Sequence, residues 1–137
     1  MKTILITTAA ALTLAATTGF SAPAYSSEAP DFVKDTFPEQ GIEGAWQNIQ
    51  SVIGDPDSAL DGKTKELIAL AVSAQIPCDY CIYSHTVGAQ AHGATDAEIR
   101  EALATAGLIR KWSTLLNGFQ YDMDAFRQEV DAMYEGE

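Results

Sequence analysis

Residues Leu60 to Gly107 read "LDGKTKELIALAVSAQIPCDYCIYSHTVGAQAHGATDAEIREALATAG". This stretch decides the fold, because every boundary in it is written in helix chemistry. Asp61–Ile76 carries no turn residue after Gly62, and its second half is apolar on every side. Such a helix is buried all round or lies at a subunit interface. Pro77 breaks it. A second helix is expected from Cys78 to His92, closed by Gly93, which tolerates the left-handed turn at a helix end. Thr95-Asp96-Ala97-Glu98 is a capping box and opens a third helix. The core face of that helix is Ile99, Ala102, Leu103 and Ala106, with Gly107 as its expected end.

The same periodicity continues outward. Upstream, Ile42, Trp46, Ile49 and Ile53 recur at helical spacing, and Gly54-Asp55-Pro56-Asp57 stops that run. Downstream, Leu108, Trp112, Leu115, Leu116 and Phe119 form one stripe, and Met123, Phe126, Val130 and Met133 another. Both stripes are expected to be core. No run alternates polar and apolar residues in the manner of a strand. The expectation is therefore a compact all-α domain of about six helices over residues 41–137, with a core motif at 60–107. Residues 25–40 form a lead-in, and the small polar stretch Tyr25–Pro30 is expected to be a disordered tail.

The first 24 residues read as an export signal. Lys2 precedes the uncharged run Ile4–Ala16, and Ala22-Pro23-Ala24 fits the small-x-small cleavage rule. The run is shorter than the roughly 20 residues needed to span a bilayer. Cleavage near Ala24 moves the net charge from −11 to about −12, because Lys2 leaves with the signal. A surface so acidic repels phosphate backbones and anionic lipid, so nucleic acid and membranes are not expected partners. The expected location is secreted or periplasmic, an oxidising setting for thiols.

Both cysteines of the chain, Cys78 and Cys81, fall within "PCDYCIYSH", Pro77–His85. In a regular helix their Cβ atoms would lie about 5–6 Å apart. A disulfide needs roughly 3.5–4.5 Å, so a bridge requires the first turn to tighten and should be reducible. A bridge this short restricts the unfolded chain by only about 2 kcal/mol, which argues against a purely structural staple. Cys78, at the helix start, meets free backbone N–H groups and the positive end of the helix dipole, both of which favour a thiolate. His85 lies four residues beyond Cys81, on the same face, and can take a thiol proton. Glu66, in the preceding helix, is either a solvated first-turn carboxylate or, if Pro77 folds the two helices back to back, a partner that orients His85.

Glu66, Cys78, Cys81 and His85 together make E-x11-C-x2-C-x3-H. This pattern, with its flanks, resembles the alkylhydroperoxidase D-like branch of the carboxymuconolactone decarboxylase family. The resemblance implies an all-helical fold, a homo-oligomer (trimer or hexamer), and a thiol peroxidase with no cofactor and no metal. It implies that Cys81 is the peroxidatic cysteine and Cys78 its resolving partner. Glu66 and His85 would be the proton relay, and a Cys78–Cys81 disulfide would form in each cycle. The partners would be an organic hydroperoxide or disulfide substrate and a thiol reductant. Tyr80 stands where the best-studied branch has a further relay histidine, and a phenol titrating near 10 is a poor base at neutral pH. That branch is cytosolic, so an exported chain needs another electron donor. Tyr80 and Tyr83 are candidates for an apolar substrate mouth.

Other readings remain beside this one. A general thiol–disulfide oxidoreductase would use the same pair. A non-enzymatic helical oligomer would hold the pair as a static bridge. The family's lyase branch acts on a muconolactone, and the cysteine pair argues against it. Zinc would need Cys78, Cys81, His85 and His92 around one ion. A straight helix cannot wrap them so, because His92 is about 10 Å along the axis from His85. His92 is expected to serve the end of its own helix.

Overall fold

A computed structural model describes residues 25–135, so the export signal expected at 1–24 lies outside the described residues. The described chain is all-α, with six helices and no strand. They are α1 (Asp31–Thr36), α2 (Ile42–Ile49), α3 (Gly62–Gln75), α4 (Asp79–Ala91), α5 (Asp96–Phe119) and α6 (Met123–Tyr134). A 3-10 turn, Glu39–Gly41, leads into α2, and one π turn, Gln50–Gly54, extends it. Among the described residues no helix is long and apolar enough to cross a membrane.

The centre of the fold is the antiparallel pair α3–α4, with α5 packed on α3. Its corners follow the sequence closely. Asp61 caps α3 by accepting the Thr64 N–H at 2.8 Å. Pro77 ends α3, and the Cys78 N–H turns back to the Ser73 carbonyl at 3.2 Å. At the end of α4, Gly93 takes φ 81°. There Gly93 and Ala94 donate to the carbonyls of Gln90 and Ala89, each at 2.9 Å, which satisfies two terminal acceptors of the helix. Thr95 and Glu98 form the reciprocal capping box that starts α5. Glu98 also receives Lys63 Nζ at 2.7 Å, pinning the start of α5 to the start of α3.

Three expectations are corrected. Gly107 does not end a helix: α5 runs through it to Phe119. One interior glycine costs only about 1 kcal/mol, and the uninterrupted helix carries Arg110 to the end of α3. There Arg110 bonds the Gln75 side chain and its carbonyl, each at 2.6 Å.

The second correction concerns the lead-in. Tyr25–Pro30 is not a disordered tail, and α1 follows it directly. Ala29, Val33 and Trp46 form a small buried cluster, with Tyr25, Ile42, Ala45 and Ile49 around it. The cause is an indole N–H that needs an acceptor once buried: Trp46 Nε1 donates to the Ser26 carbonyl at 2.9 Å. Gln50 reaches the same carbonyl at 2.8 Å. The Tyr25 ring then meets Trp46 edge-on, with centroids 5.6 Å apart.

The third correction concerns the downstream stripes. Leu70, Ala89 and Ala106 are buried where α3, α4 and α5 meet. Leu108, Trp112, Leu115 and Phe119 of α5, and Met123 and Met133 of α6, are exposed in the single chain. α6 buries no residue at all. These faces have the composition of a core, but among the described residues no second layer covers them.

Candidate active site

The site is built at the α3–α4 corner. Glu66, one turn inside α3, is the most deeply buried charged side chain described, with 1% exposure. A buried carboxylate is stable only when its oxygens are satisfied. Both are. The Tyr25 hydroxyl donates to Oε1 at 3.1 Å, and His85 Nδ1 lies 2.7 Å from Oε2. Of the two alternatives for Glu66, the chain adopts the inward one.

Gly88 makes that placement possible. It lies three residues beyond His85 on α4, and a Cβ there would stand 2.6 Å from Glu66 Cδ. Only glycine lets α4 come this close to the carboxylate.

His85 is partly exposed, with 24% of its side chain open to solvent. An ionised carboxylate only accepts, so the ring proton on Nδ1 belongs to this contact, and Nε2 is left as the free basic nitrogen. Cys81 precedes His85 by one helical turn on the same face of α4.

Cys78 and Cys81 are joined in a disulfide with Cα atoms 5.3 Å apart. The helix does not tighten to allow it, as spacing alone suggested. Cys78 lies outside the helix, as N-cap, with extended backbone (φ −104°, ψ 99°). Its Sγ accepts the Cys81 N–H at 3.3 Å. This is where a backbone N–H and the helix dipole lower a thiol's pKa once the bridge is open.

The remaining sequence candidates are not drawn in. Tyr80 and Tyr83 are 91% and 74% exposed, so the single chain builds no enclosed mouth from them. His92 Nδ1 is 2.8 Å from the Gly88 carbonyl, at the end of α4. Among the described residues no three His, Cys, Asp or Glu side chains gather where they could hold a metal ion. A groove of about 720 Å³ between α3 and α5 is lined by Leu67, Ile68, Ala102, Ala106 and Ile109, among others. None of Glu66, Cys78, Cys81 or His85 lines it, so volume and chemistry lie in different places.

Two residues of the site were missed from sequence, Tyr25 and Gly88. Gly88 left a readable signal, a glycine inside a helix one turn from a candidate base. Tyr25 left almost none.

The carboxymuconolactone decarboxylase family profile matches residues 42–122, more than half the chain. The chain belongs to the carboxymuconolactone decarboxylase family. Within it, the fold is that of the alkylhydroperoxidase D-like members. The crystal structure of the alkylhydroperoxidase AhpD core from Rhodospirillum rubrum is similar, with TM-score 0.59 and 36% identity. The match covers 64% of this chain and 65% of that one. An uncharacterised protein of the cox locus of Paracoccus denitrificans is 46% identical over 69 residues, half of this chain and 61% of its own length. An uncharacterised protein of Cupriavidus necator is 44% identical over 60 residues, 44% of this chain and 52% of its own length. The chain thus spans between half and two thirds of the relatives it matches.

Proposed function

We propose that this protein is an exported thiol peroxidase that reduces organic hydroperoxides through the Cys78–Cys81 pair. The observation that carries the reading is the Glu66–His85 contact of 2.7 Å, one helical turn from a cysteine already bridged to its neighbour. A static bridge needs no buried carboxylate and histidine beside it.

The chemistry balances with the groups present. With both thiols reduced, His85 Nε2 takes the Cys81 proton. The thiolate attacks the distal peroxide oxygen and the O–O bond breaks. Cys81 becomes a sulfenic acid, and the alkoxide leaves as alcohol with the proton from His85. Cys78 then attacks the Cys81 sulfur, forming the disulfide and releasing water. An external dithiol returns two electrons and two protons to reopen the pair. The N-cap position suits Cys78 to the second step, because an acidified thiol is both a ready resolving thiolate and a good leaving group.

The N-cap thiol also supports a second reading, general thiol–disulfide exchange on disulfide substrates. Trapping separates the two. Cys78→Ser leaves Cys81 unresolved, so stoichiometric hydroperoxide should add one oxygen atom to Cys81, detectable by mass and by sulfenic-acid reagents. A thiol left unmodified, while the wild-type protein still exchanges with model disulfides, favours the second reading.

The assembly is proposed to be a homo-oligomer, a trimer or hexamer. The uncovered apolar faces of α5 and α6 support this, with Ile109 and Trp112 half or more exposed. Export to a secreted or periplasmic location rests on the signal-like first 24 residues.

A further inference from the structure

The Glu66 carboxylate has a second partner that the motif does not contain. Tyr25 reaches it from the lead-in, 41 residues away in sequence. The phenol is fixed on three sides: its ring lies edge-on to Trp46, its backbone neighbour Ser26 holds the Trp46 indole, and Gly54 passes beneath it. At Gly54 an added Cβ would stand 2.6 Å from the Tyr25 ring, so the π turn after α2 is shaped to admit this side chain.

We propose that Tyr25 is a positioning residue of this site. Its hydroxyl, donating to Oε1 of Glu66, turns the other carboxylate oxygen onto His85 Nδ1 and sets the basicity of the imidazole that serves Cys81. The proposal rests on the peroxidase reading only for its last clause; the Tyr25–Glu66–His85 chain itself is open to test in the oxidised protein.

The direction follows from charge sharing. Glu66 has two polar partners. The phenol draws off part of the carboxylate's charge, so the charge left to stabilise a proton on His85 is smaller than it would otherwise be. Burial, the Glu66 charge and the hydrogen bond to Glu66 push the Tyr25 hydroxyl up to about 12, so it remains a donor at every working pH. Without the hydroxyl, the carboxylate leans wholly on His85 and the imidazolium gains.

Few other titratable or charged groups face the pair; cleavage after Ala24 would add the α-ammonium of residue 25 itself, which wild type and Tyr25→Phe would carry alike. From α4 come Cys78 and Cys81, which do not titrate while bridged. Lys65 on α3 is turned to Ser58 Oγ at 2.6 Å and the Asp55 carbonyl at 3.2 Å. His92 is taken by the Gly88 carbonyl. From α5, Glu98 is paired with Lys63 and Arg110 with Gln75.

The experiment is an NMR titration of the His85 ring in the disulfide form of the mature, signal-cleaved protein, wild type against Tyr25→Phe. The phenylalanine keeps the ring against Trp46 and removes only the oxygen. The His85 midpoint is expected to rise by about half a pH unit or more. Val33→Ala, in the same buried cluster, should lower the melting temperature and leave the midpoint in place. If Tyr25 were only packing, Tyr25→Phe would behave like Val33→Ala, and an unmoved or lowered midpoint overturns the proposal. Should Tyr25→Phe not fold, the reciprocal measurement stands: in Glu66→Gln the Tyr25 phenol should titrate well below its wild-type value. A phenol that titrates the same in both overturns the proposal equally. Neither measurement consumes peroxide, so a protein inert to hydroperoxide can still carry the Tyr25 effect, and an active one can lack it.

Discussion

Glu66 and His85, on consecutive antiparallel helices, meet at 2.7 Å through Oε2 and Nδ1, with the carboxylate almost wholly withdrawn from water. The contact fixes which imidazole nitrogen is free. It therefore joins the geometry of a helix corner to the protonation chemistry of a thiol one turn away.

Glu66→Gln tests that link with little change in volume. The amide nitrogen would donate to His85 Nδ1 and force the ring proton onto Nε2, leaving no base toward Cys81. The reaction of reduced Cys81 with hydroperoxide should slow by about 100-fold, within the usual range for loss of a general base. A rate within about threefold of wild type would contradict the relay.

Gly88→Ala places a methyl against the Glu66 carboxyl carbon. Overpacking of this kind costs about 1–3 kcal/mol. Both the melting temperature and thiol reactivity should fall. Gly107→Ala is the contrasting variant: nothing lies within 4 Å of its Cβ position, so it should stabilise α5 by up to about 1 kcal/mol.

The Lys63–Glu98 contact predicts a pH window. The hydrogen bond from Lys63, and then those from Thr95, lower the Glu98 pKa from 4.5 to about 2. A depressed carboxyl contributes its stability fully above its unfolded value and loses it as pH falls through the folded value. The melting temperatures of wild type and Lys63→Met should therefore differ above pH 4.5 and converge between about 4.5 and 2. A difference that persists at pH 2 would assign the effect to packing of the lysine stem.

The α3–α4 corner was legible from sequence because each of its boundaries is a single-residue signal: Asp61, Pro77, Gly93 and Thr95 through Glu98. The spacing of Cys78, Cys81 and His85 put them on one turn of a helix, whereas the placement of Glu66 was open until the antiparallel fold-back of α3 on α4 brought it against His85. The end at Gly107 was misread because a glycine in a helix is only weakly unfavourable, and the anchoring of Arg110 on Gln75 outweighs it. Tyr25 was invisible for another reason. Its partner lies 41 residues away, and nothing local distinguishes a tyrosine in a small polar stretch from one exposed to solvent. The stripes of α5 and α6 were read correctly as apolar but assigned to the wrong layer, because periodicity shows that a face wants covering and not what covers it.

That uncovered layer gives an assembly prediction. Ile109→Asp puts a charge on the exposed apolar face of α5, at a residue 64% open in the single chain. Sedimentation should show an oligomer for wild type and a smaller species for the variant. A monomeric wild-type protein would contradict the proposed assembly.

Peroxidase activity at Cys81 can be read by mixing the fully reduced protein rapidly with an organic hydroperoxide and counting free thiols against time, alongside Cys81→Ser. A thiol peroxidase should lose two thiols per chain, far faster than free cysteine does, with no fast phase in Cys81→Ser. Thiols lost no faster than those of free cysteine would contradict it, and would leave the pair to disulfide exchange or to a static bridge.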